Sequence, residues 1–477
     1  MADLFSEPLS YWKLWAQERP TQTAFKTSYC TLNWRQVDEV VGVYKHQLSM
    51  QGLTRNDVLT IVGKNSPEVV MVYIAALELG VVCAFTMPQP NTSLKHKLDT
   101  LYPPSNQPCI FYSHHSKSRG SEPELSGIRN IEVSPLQDAL MEGERIERVE
   151  RQDQSRLSSI IFTSGSTGNP KAVAYNLEQH LFSAKGLLNA IKYEPSGCWL
   201  LSLPIYHVSG LAIVHRWLLA GASLKVGSGE LALDATGCTH ASLVPTQLHR
   251  LIESNQSLSL THVLLGGSHI PVKLAQQAQG MGIETWLGYG MTEAASTVTA
   301  KMVDGTNTTG ALLLYREIKI DQGRIFISGD TLASGYYFQG KLTPLRNVEG
   351  WFDSKDLGNW VDGELQIVGR VDNQFISGGE NIHCEEIERV LNAHPAVTQA
   401  YIIPVDDEEF GQRPVAIIQT SRKIALPDYH SFLDGKLERF KWPIDYYELP
   451  QALMNTGIKV SRKALKDWLN EKEVQTR

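Results

Sequence analysis

The sequence predicts an α/β fold: a large N-terminal domain of layered, mostly parallel sheets and helices, followed by a small α+β C-terminal domain. Two observations carry this prediction. Strand-like apolar runs alternate with helical patterns through most of the chain, which is typical of parallel sheets covered by helices. The chain also has 477 residues, too many for one ordinary core, so more than one structural unit is expected.

The alternation is clearest in two stretches of the N-terminal domain. Ser66 is a candidate helix N-cap, Pro67 suits the first helical position, and Gly80 marks the end of that helix. The apolar run 69–85 is therefore a buried helix followed by a strand, and is too short to span a bilayer. The predicted elements are strands over 58–62, 81–86, 160–163 and 199–203, and helices over 67–79 and 177–191.

The predicted helices and strands that follow Arg370 are short. Together they are sufficient for a domain of about 100 residues. We predict a large domain over 1–371, a small one over 372–477, and a hinge at 369–374. The units of the small domain are helices over 384–391, 429–440 and 464–470, and strands over 399–404 and 415–419.

Composition excludes several classes of protein. Hydrophobic residues make up 42% and charged residues 20%, as in soluble globular proteins. The net charge of −7 argues against a nucleic-acid surface. The six cysteines have neither metal-ligand nor redox spacing, which favours reduced thiols in the cytoplasm. No signal peptide is indicated at the N-terminus, and the polar, densely charged stretches 114–127 and 141–156 are expected to be solvated surface.

A glycine- and hydroxyl-rich loop is the first candidate site. It follows the strand that ends at Thr163 and leads to Lys171, which begins another predicted strand. Its glycines let backbone amides point into one concavity, and its hydroxyls and lysine suit the oxygens of a polyphosphate. The spacing differs from a Walker loop, which would open a helix. The loop residues are Ser164, Gly165, Ser166, Thr167, Gly168, Asn169 and Pro170.

The string TSGSTGNPK resembles the phosphate loop of the acyl-adenylate-forming superfamily, which includes acyl-CoA synthetases, luciferases and nonribosomal adenylation domains. The resemblance covers about residues 30–470, with further motifs in the same order. YGMTE resembles the second nucleotide motif. It implies that Tyr289 packs on adenine, that Thr292 meets the α-phosphate, and that Glu293 holds Mg²⁺ together with Thr167.

Two later motifs resemble the ribose site and the hinge of that superfamily. In WFDSKDLG the resemblance assigns Asp356 to the ribose hydroxyls, and Lys355 stands where the superfamily commonly has glycine. In GRVD it places Arg370 near the ribose and Asp372 at the pivot. A carboxylate can accept hydrogen bonds from both ribose hydroxyls, which agrees with this assignment.

The C-terminal motifs imply the rest of the chemistry. NTGIKVSR resembles the segment of the adenylation lysine, here Lys459; a solvated surface lysine is the alternative. The resemblance implies a mobile C-terminal domain that rotates between two half-reactions, with the loop 377–381, including Gly379, lining a tunnel for a thiol. The substrates and cofactors implied are ATP, Mg²⁺ and coenzyme A, with Lys171 offsetting charge on the leaving group.

The helix that follows His207, predicted to run to Ala220, gives information about the acid substrate. No aspartate for an amino group occurs between 203 and 221, whereas Arg216 interrupts an apolar run and shares a helix face with Ser209. Arg216 is a candidate for binding a second substrate carboxylate; a rim residue or the partner of a structural carboxylate are alternatives. His207 is either catalytic or a packed, hydrogen-bonded histidine.

Within the superfamily the chain most resembles the o-succinylbenzoate–CoA ligases of menaquinone biosynthesis, through HVSG, HRWLLAGA, YGMTEAASTV, FISGGENI and NTGIKVSRKAL. This implies an aromatic dicarboxylic acid as substrate, with Gly266, Gly267 and Ser296 lining the acid pocket or the adenine site. The alternatives are another acyl- or aryl-CoA synthetase, or an adenylation enzyme that loads a separate carrier protein. No nucleic-acid or membrane partner is expected, and a homo-oligomer is left open.

Overall fold

A computed structural model describes residues 10–113, 126–143, 153–163, 170–254, 256–266, 270, 272–377, 380–421, 425–454 and 460–476. Within these ranges the helices are α1 (Tyr11–Glu18), α2 (Trp34–Met50), α3 (Pro67–Leu79), α4 (Asn91–Leu101), α5 (Leu136–Glu142), α6 (Leu177–Ala190), α7 (Val208–Ala220), α8 (Leu231–Asp234), α9 (Pro245–Glu253), α10 (Val272–Gly280), α11 (Cys384–Asn392), α12 (Leu426–Leu433), α13 (Gln451–Met454) and α14 (Arg462–Thr476).

The strands before residue 300 belong mostly to two large sheets. They are β1 (Thr23–Lys26), β2 (Thr31–Asn33), β3 (Val58–Val62), β4 (Val82–Thr86), β5 (Cys109–Tyr112), β6 (Arg129–Ile131), β7 (Leu157–Thr163), β8 (Lys171–Asn176), β9 (Cys198–Leu200), β10 (Ser223–Lys225), β11 (His240–Leu243), β12 (His262–Leu265), β13 (Glu284–Met291) and β14 (Ser296–Met302).

The later strands complete these sheets and form two more. They are β15 (Ala311–Leu312), β16 (Glu317–Asp321), β17 (Arg324–Ser328), β18 (Gly335–Phe338), β19 (Lys341–Thr343), β20 (Phe352–Val361), β21 (Glu364–Arg370), β22 (Gln374–Ser377), β23 (Glu380–His383), β24 (Val397–Asp407), β25 (Gly411–Thr420) and β26 (Tyr446–Glu448).

Sheet 1 has nine strands in the order β15-β14-β13-β12-β11-β9-β10-β1-β2, and sheet 2 has eight in the order β19-β18-β8-β7-β4-β3-β5-β6. The central pairs of both sheets are parallel, which confirms the predicted α/β class. The large hydrophobic core contains residues of both sheets together with α3, α6 and α7. Helices α3 and α7 are buried on most sides, so their apolar residues form nearly continuous runs, whereas α6 buries one face only.

Helix ends follow the predicted signals. The Ser66 side chain accepts a hydrogen bond from the Val69 amide, Pro67 is the first helical residue, and Gly80 ends α3 with φ 74°. Helix α7 ends at Gly221 with φ 61°, and a Cβ there would lie 2.7 Å from the Trp15 ring. Glycine is thus required at this end both for the left-handed backbone and for close packing.

Sheet 3 is antiparallel, in the order β16-β17-β20-β21, and sheet 4 belongs to the C-terminal residues, with β23-β22-β25-β24 and β26 paired to β25. The helix predicted over 429–440 is wrong in extent: α12 ends at Leu433, and a separate 3₁₀ turn covers Arg439–Lys441. Gly435, with φ 71°, follows α12 closely and takes the chain out of the helical conformation.

Hydrophobic clusters divide at the predicted hinge. The large core ends with Leu365, whereas the two clusters of the C-terminal residues begin at Phe375 and Ile403. Between them β21 leads through a 3₁₀ turn, Val371–Asn373, into β22. Searched over the described residues, the chain has no helix long and apolar enough to cross a membrane.

Candidate active site

The carboxylate of Asp356 is held by two donors from neighbouring sheets. Asp356 on β20 is paired with Arg370 on β21, and Arg370 Nη1 donates to Asp356 Oδ1 at 2.8 Å. Tyr289 Oη, from β13, donates to Oδ2 at 2.6 Å. Burial, and then the charge of Asp356, raises the pKa of Tyr289 well above its usual value. Tyr289 therefore remains a protonated donor at neutral pH.

Lys355 adopts a backbone conformation that favours glycine. Its φ is 66°, a left-handed value that costs a side-chain-bearing residue roughly 1 kcal/mol. Two contacts with Asp353 oppose that cost: the Lys355 amide donates to Oδ1 at 3.1 Å, and Nζ donates to Oδ2 at 2.7 Å. The structure thus gives a physical reason for the glycine common in the superfamily, and for the tolerance of lysine in this chain.

Glu293, Tyr336 and Lys171 form a second group. Tyr336 Oη donates to Glu293 Oε1 at 3.1 Å, and Lys171 Nζ lies 5.1 Å from the centre of the Tyr336 ring. Lys171 begins β8 opposite Thr163, and Tyr336 on β18 is paired with Val173 of the same strand. The prediction that the phosphate loop joins two strands is confirmed, because β7 and β8 are antiparallel neighbours. No motif signalled Tyr336.

The motif YGMTE owes its form to the junction of β13 and β14. A Cβ on Gly290 would lie 2.0 Å from the carbonyl oxygen of Ser296, so the two strands can approach only with glycine there. A 3₁₀ turn then carries Thr292 and Glu293. The carbonyl of Thr292 accepts a hydrogen bond from Tyr175 Oη, and the Glu293 carbonyl accepts one from the Ala333 amide at 2.8 Å. The turn is therefore anchored from two directions.

The carboxylate of Glu293 fits a divalent cation beside phosphate. In the part of the chain that the structure describes, no lysine or arginine forms an ion pair with it, and Mg²⁺ prefers carboxylate oxygen as a ligand. No group of three or more His, Cys, Asp or Glu residues within those ranges could hold a metal by itself. Phosphate oxygens and water would therefore complete the coordination, as Mg²⁺ commonly requires.

Arg216 is buried with its charge unneutralised. It is 2% exposed, which rules out a rim position. Its Nη1 donates to Ser242 Oγ at 3.3 Å, and its guanidinium lies 5.0 Å from the Trp199 ring centre. No carboxylate of the described ranges pairs with it, and Nε has no hydrogen-bond partner there. Burial, and then the charge of Arg316, lowers the pKa of Arg216 to about 9.

Two further predicted pocket residues, Gly266 and Ser296, lie at the same end of sheet 1, where β12 and β13 finish. Gly266 follows β12, and a Cβ added to it would meet no atom within 4 Å. Ser296 is paired with Met291 at the start of β14 and has φ 98°. Ser209 lies in the first turn of α7 and is partly exposed. The structure records no contact that ties Ser209 to Arg216, so their shared face rests on helix geometry alone.

His207 precedes α7 and is partly buried. Burial, and then the charge of Lys97, lowers its pKa, so its imidazole is neutral at neutral pH. Lys97 on α4 was not predicted as a site residue, because no motif surrounds it. The predicted residues Ser164, Gly165, Ser166, Thr167, Gly168, Gly267, Gly379 and Lys459 lie outside the residues that the structure describes.

Two family models match the chain. The model of the AMP-binding enzymes matches residues 12–337, and that of the AMP-binding enzyme C-terminal domain matches residues 386–471. Among curated proteins, the 2-succinylbenzoate–CoA ligase of Salmonella typhimurium is 40% identical over 461 residues, covering 96% of this chain and 98% of the relative. The Escherichia coli 2-succinylbenzoate–CoA ligase is 39% identical over 464 residues, covering 97% and 98%.

Solved structures agree with these matches. A variant of Escherichia coli MenE with bound OSB-AMS is similar at a TM-score of 0.86 and 37% identity, covering 97% of this chain and 98% of that one. Bacillus subtilis o-succinylbenzoate CoA synthetase in complex with the acyl-adenylate intermediate OSB-AMP is similar at a TM-score of 0.80. At 23% identity, covering 96% and 98% of the two chains, that likeness establishes the shared fold.

Proposed function

Since the chain belongs to the AMP-binding enzyme family, we propose that it is an AMP-forming acid–CoA ligase acting on o-succinylbenzoate in menaquinone biosynthesis. Its substrates are o-succinylbenzoate, ATP and coenzyme A, and Mg²⁺ is its cofactor. Relatives about 40% identical along nearly the whole chain are 2-succinylbenzoate–CoA ligases, which supports the same acid here.

The unneutralised guanidinium of Arg216 is the observation that carries the choice of acid. A buried cation without a carboxylate is costly, so a site that keeps one gains when an anion arrives. A dicarboxylic acid can leave one carboxylate on Arg216 while the other reacts. The Trp199 ring beside the guanidinium adds an apolar surface that suits an aromatic substrate.

The first half-reaction is attack by the substrate carboxylate on the α-phosphorus of ATP. A P–O bond forms, the bond to the β-phosphate bridge breaks, and pyrophosphate leaves. The carboxylate needs no general base, so the residues act by positioning and by offsetting charge. Lys459 bridges the attacking carboxylate and the α-phosphate, and Lys171 faces the leaving group. Mg²⁺ bound by Glu293 and Thr167 supplies further positive charge beside the phosphates.

The nucleoside is positioned by the group around Asp356. The ring of Tyr289 packs on adenine, while its hydroxyl and Arg370 orient the carboxylate that accepts from the ribose hydroxyls. Thr292, next to Glu293 on the anchored 3₁₀ turn, meets the α-phosphate. Base, ribose and phosphate thus bind along the ends of the sheet 1 strands and the edge of sheet 3.

The second half-reaction is attack by the coenzyme A thiol on the acyl carbon of the adenylate. A C–S bond forms, the C–O bond to AMP breaks, and the thiol proton is released. The domain 372–477 rotates about Asp372 between the steps and brings the loop 377–381, with Gly379, into place of Lys459. The partition of the hydrophobic clusters at the hinge supports this, because rotation leaves each core intact. His207 borders the reacting carbonyl.

The enzyme is proposed to work in the cytoplasm on small-molecule substrates. Its six cysteines are free thiols, in keeping with a reducing compartment. A homo-oligomer is compatible with this function but is not needed for it, because every proposed site residue comes from one chain.

A screen of carboxylic acids for coenzyme-A-dependent AMP production tests the function. We expect o-succinylbenzoate to give AMP and an acyl-CoA, benzoate to give neither at a comparable rate, and omission of coenzyme A to stop AMP release. Equal rates with benzoate and o-succinylbenzoate would reject o-succinylbenzoate as the specific acid substrate. AMP release that depends on a carrier protein instead of coenzyme A would reject coenzyme A as the thiol acceptor.

A further inference from the structure

Lys97 lies beside the strand that leads into the phosphate loop. Lys97 on α4 donates from Nζ to Thr86 Oγ1 at 2.5 Å, and Gln89 Nε2 donates to the same oxygen at 3.1 Å. The ammonium also lies 5.0 Å from the ring centre of Phe162. Thr86 and Phe162 are at the carboxyl ends of the neighbouring strands β4 and β7. We refer to Thr86, Gln89, Lys97 and Phe162 as the Lys97 cluster.

The charge of Lys97 is not neutralised by the fold. Across the described ranges no carboxylate forms an ion pair with it, and Thr86 Oγ1 is its one hydrogen-bond acceptor. An ammonium has three donors, so two point elsewhere. Burial lowers the pKa of Lys97 to about 8. A half-buried cation held in this way gains free energy when an anion binds beside it.

We propose that the ammonium of Lys97 is a phosphate-binding group for the polyphosphate of ATP and for the pyrophosphate that leaves. Phe162 is separated from Ser164, the first residue of the loop, by Thr163 alone, and Thr163 is paired with Lys171. Lys97 contacts β7 from the side of β4, and Lys171 lies on β8 at the other side of β7. The two lysines therefore flank the end of the strand that leads into the loop. This inference rests on the proposed function and adds a residue that no motif of the family marks.

The contact of Lys97 with β7 favours ATP over coenzyme A as the source of the phosphate. Lys97 contacts the strand that leads into the loop, and its charge is felt at His207, which borders the reacting carbonyl. An alternative role, in which Lys97 only supports α4 through Thr86, predicts an effect on stability and none on phosphate affinity. The two roles are therefore separable by experiment.

The test compares Lys97→Met, Lys97→Arg and a matched control, Lys95→Met, on the same helix at an exposed position. Isothermal titration calorimetry measures the Kd of inorganic pyrophosphate with Mg²⁺ in the full-length protein. Steady-state assays give the KM for ATP, o-succinylbenzoate and coenzyme A, and thermal melting reports whether each variant is folded. The pyrophosphate Kd needs no turnover, so it tests this inference even if the acid is not o-succinylbenzoate.

We expect Lys97→Met to raise both the pyrophosphate Kd and the KM for ATP about tenfold, the loss of one charge-assisted contact. The KM for the acid and for coenzyme A should not change. Lys97→Arg should restore most of the affinity, and Lys95→Met should match the wild type. An unchanged pyrophosphate Kd, a rise confined to the KM for coenzyme A, or equal damage by methionine and arginine with a lowered melting temperature would each overturn the proposal.

Discussion

The guanidinium of Arg216 lies 5.0 Å from the ring centre of Trp199, and no carboxylate of the described residues pairs with it. This relationship identifies a cation that the fold has stacked on an aromatic surface without neutralising it. Arginine retains its charge under such conditions better than lysine and presents a planar pair of donors. The arrangement is suited to a planar aromatic acid with a second carboxylate.

Replacing Arg216 by methionine should weaken binding of the acid selectively. The lost pair of charge-assisted hydrogen bonds should raise the KM for o-succinylbenzoate on the order of 100-fold, about 3 kcal/mol, with the KM for ATP unchanged. Steady-state kinetics with each substrate varied measures this. Benzoate, which lacks the second carboxylate, is the matched substrate and should be equally poor for wild type and variant. An unchanged KM for o-succinylbenzoate would contradict the role of Arg216.

Replacing Tyr289 by phenylalanine should weaken the binding of ATP. The ring is kept while the 2.6 Å hydrogen bond to Asp356 is removed, so the ribose carboxylate loses an orienting donor. We expect the KM for ATP to rise by roughly 10- to 100-fold, because hydrogen bonds to charged groups contribute roughly 1.5–3 kcal/mol. Tyr315→Phe, at a ring that packs on Phe182, is the control. A larger effect on the acid than on ATP would argue against ribose orientation.

Lys459→Ala should separate the half-reactions. Adenylate formation should fall by about 100-fold or more, because the charge bridging carboxylate and α-phosphate is lost, whereas thioester formation from supplied acyl-adenylate should continue. Single-turnover assays of each step measure the difference. The exposed Lys463 on α14 provides the control Lys463→Ala. Equal loss of both steps would exclude the division of labour between the two orientations of the C-terminal domain.

Two stacked histidines should make stability fall in mild acid. His180 and His215 are buried with ring centres 4.3 Å apart, and burial lowers the pKa of His180 to about 3. Below pH 6.5 the unfolded chain gains a proton there that the folded chain does not, so stability is lost by about 1.4 kcal/mol per pH unit for this residue. Urea unfolding between pH 7.5 and 5 measures the slope.

The variant His180→Gln isolates that contribution. Glutamine retains a group that can reach Ser159 but does not titrate, so its stability should depend less steeply on pH than the wild type. His249→Gln, at a largely exposed histidine beside Glu253, should keep the wild-type slope. Identical slopes for all three proteins would show that His180 is protonated within the fold.

Arg462 should stabilise the C-terminal domain through a buried carboxylate. Its Nη2 lies 2.7 Å from Glu388 Oε2, and its Nη1 donates to the Ile402 carbonyl. Removing it in Arg462→Met leaves Glu388 buried and unpaired, which should cost about 3 kcal/mol. Burial already raises the pKa of Glu388 to about 6 despite Arg462. A raised carboxyl pKa gives stability at low pH that is lost as pH rises through the folded value.

The deficit of Arg462→Met relative to the wild type should therefore be larger at pH 8 than at pH 5.5. Comparing the two proteins at each pH cancels the histidine effect common to both. Thermal melting is sufficient for the measurement. An equal deficit at both pH values would mean that groups other than Arg462 keep Glu388 in its charged form.

Much of the fold follows from local signals. Helix α3 could be predicted because Ser66, Pro67 and Gly80 give its ends, and β3 because its apolar run is bounded by polar residues. Helix α12 was predicted too long, because its apolar pattern continues past Gly435 while the backbone there turns left-handed. Periodicity reports which residues are buried, whereas the end of a helix depends on a single backbone angle.

The site divides in the same way. Asp356 and Glu293 could be predicted because the residues next to each of them in the sequence form a recognisable motif. Tyr336 and Lys97 could not be predicted in this way. Each lies on a strand or helix that is distant in sequence from the motifs, and no residue spacing links it to them. Their positions arise from β18 pairing with β8 and from α4 passing the end of β7, and such juxtapositions exist only after the sheet has formed.

The division of hydrophobic clusters at residues 365–375 also has a consequence for engineering. Because the described residues on each side of the proposed hinge form their own apolar clusters, we expect exchange of the C-terminal segment between family members to leave both clusters intact. A chimaera that receives this segment from a relative with another thiol acceptor should fold, retain its acid, and change the acceptor. Under the proposed function, such a chimaera would keep the acid-binding residues of one parent and receive the residues that meet the thiol from the other.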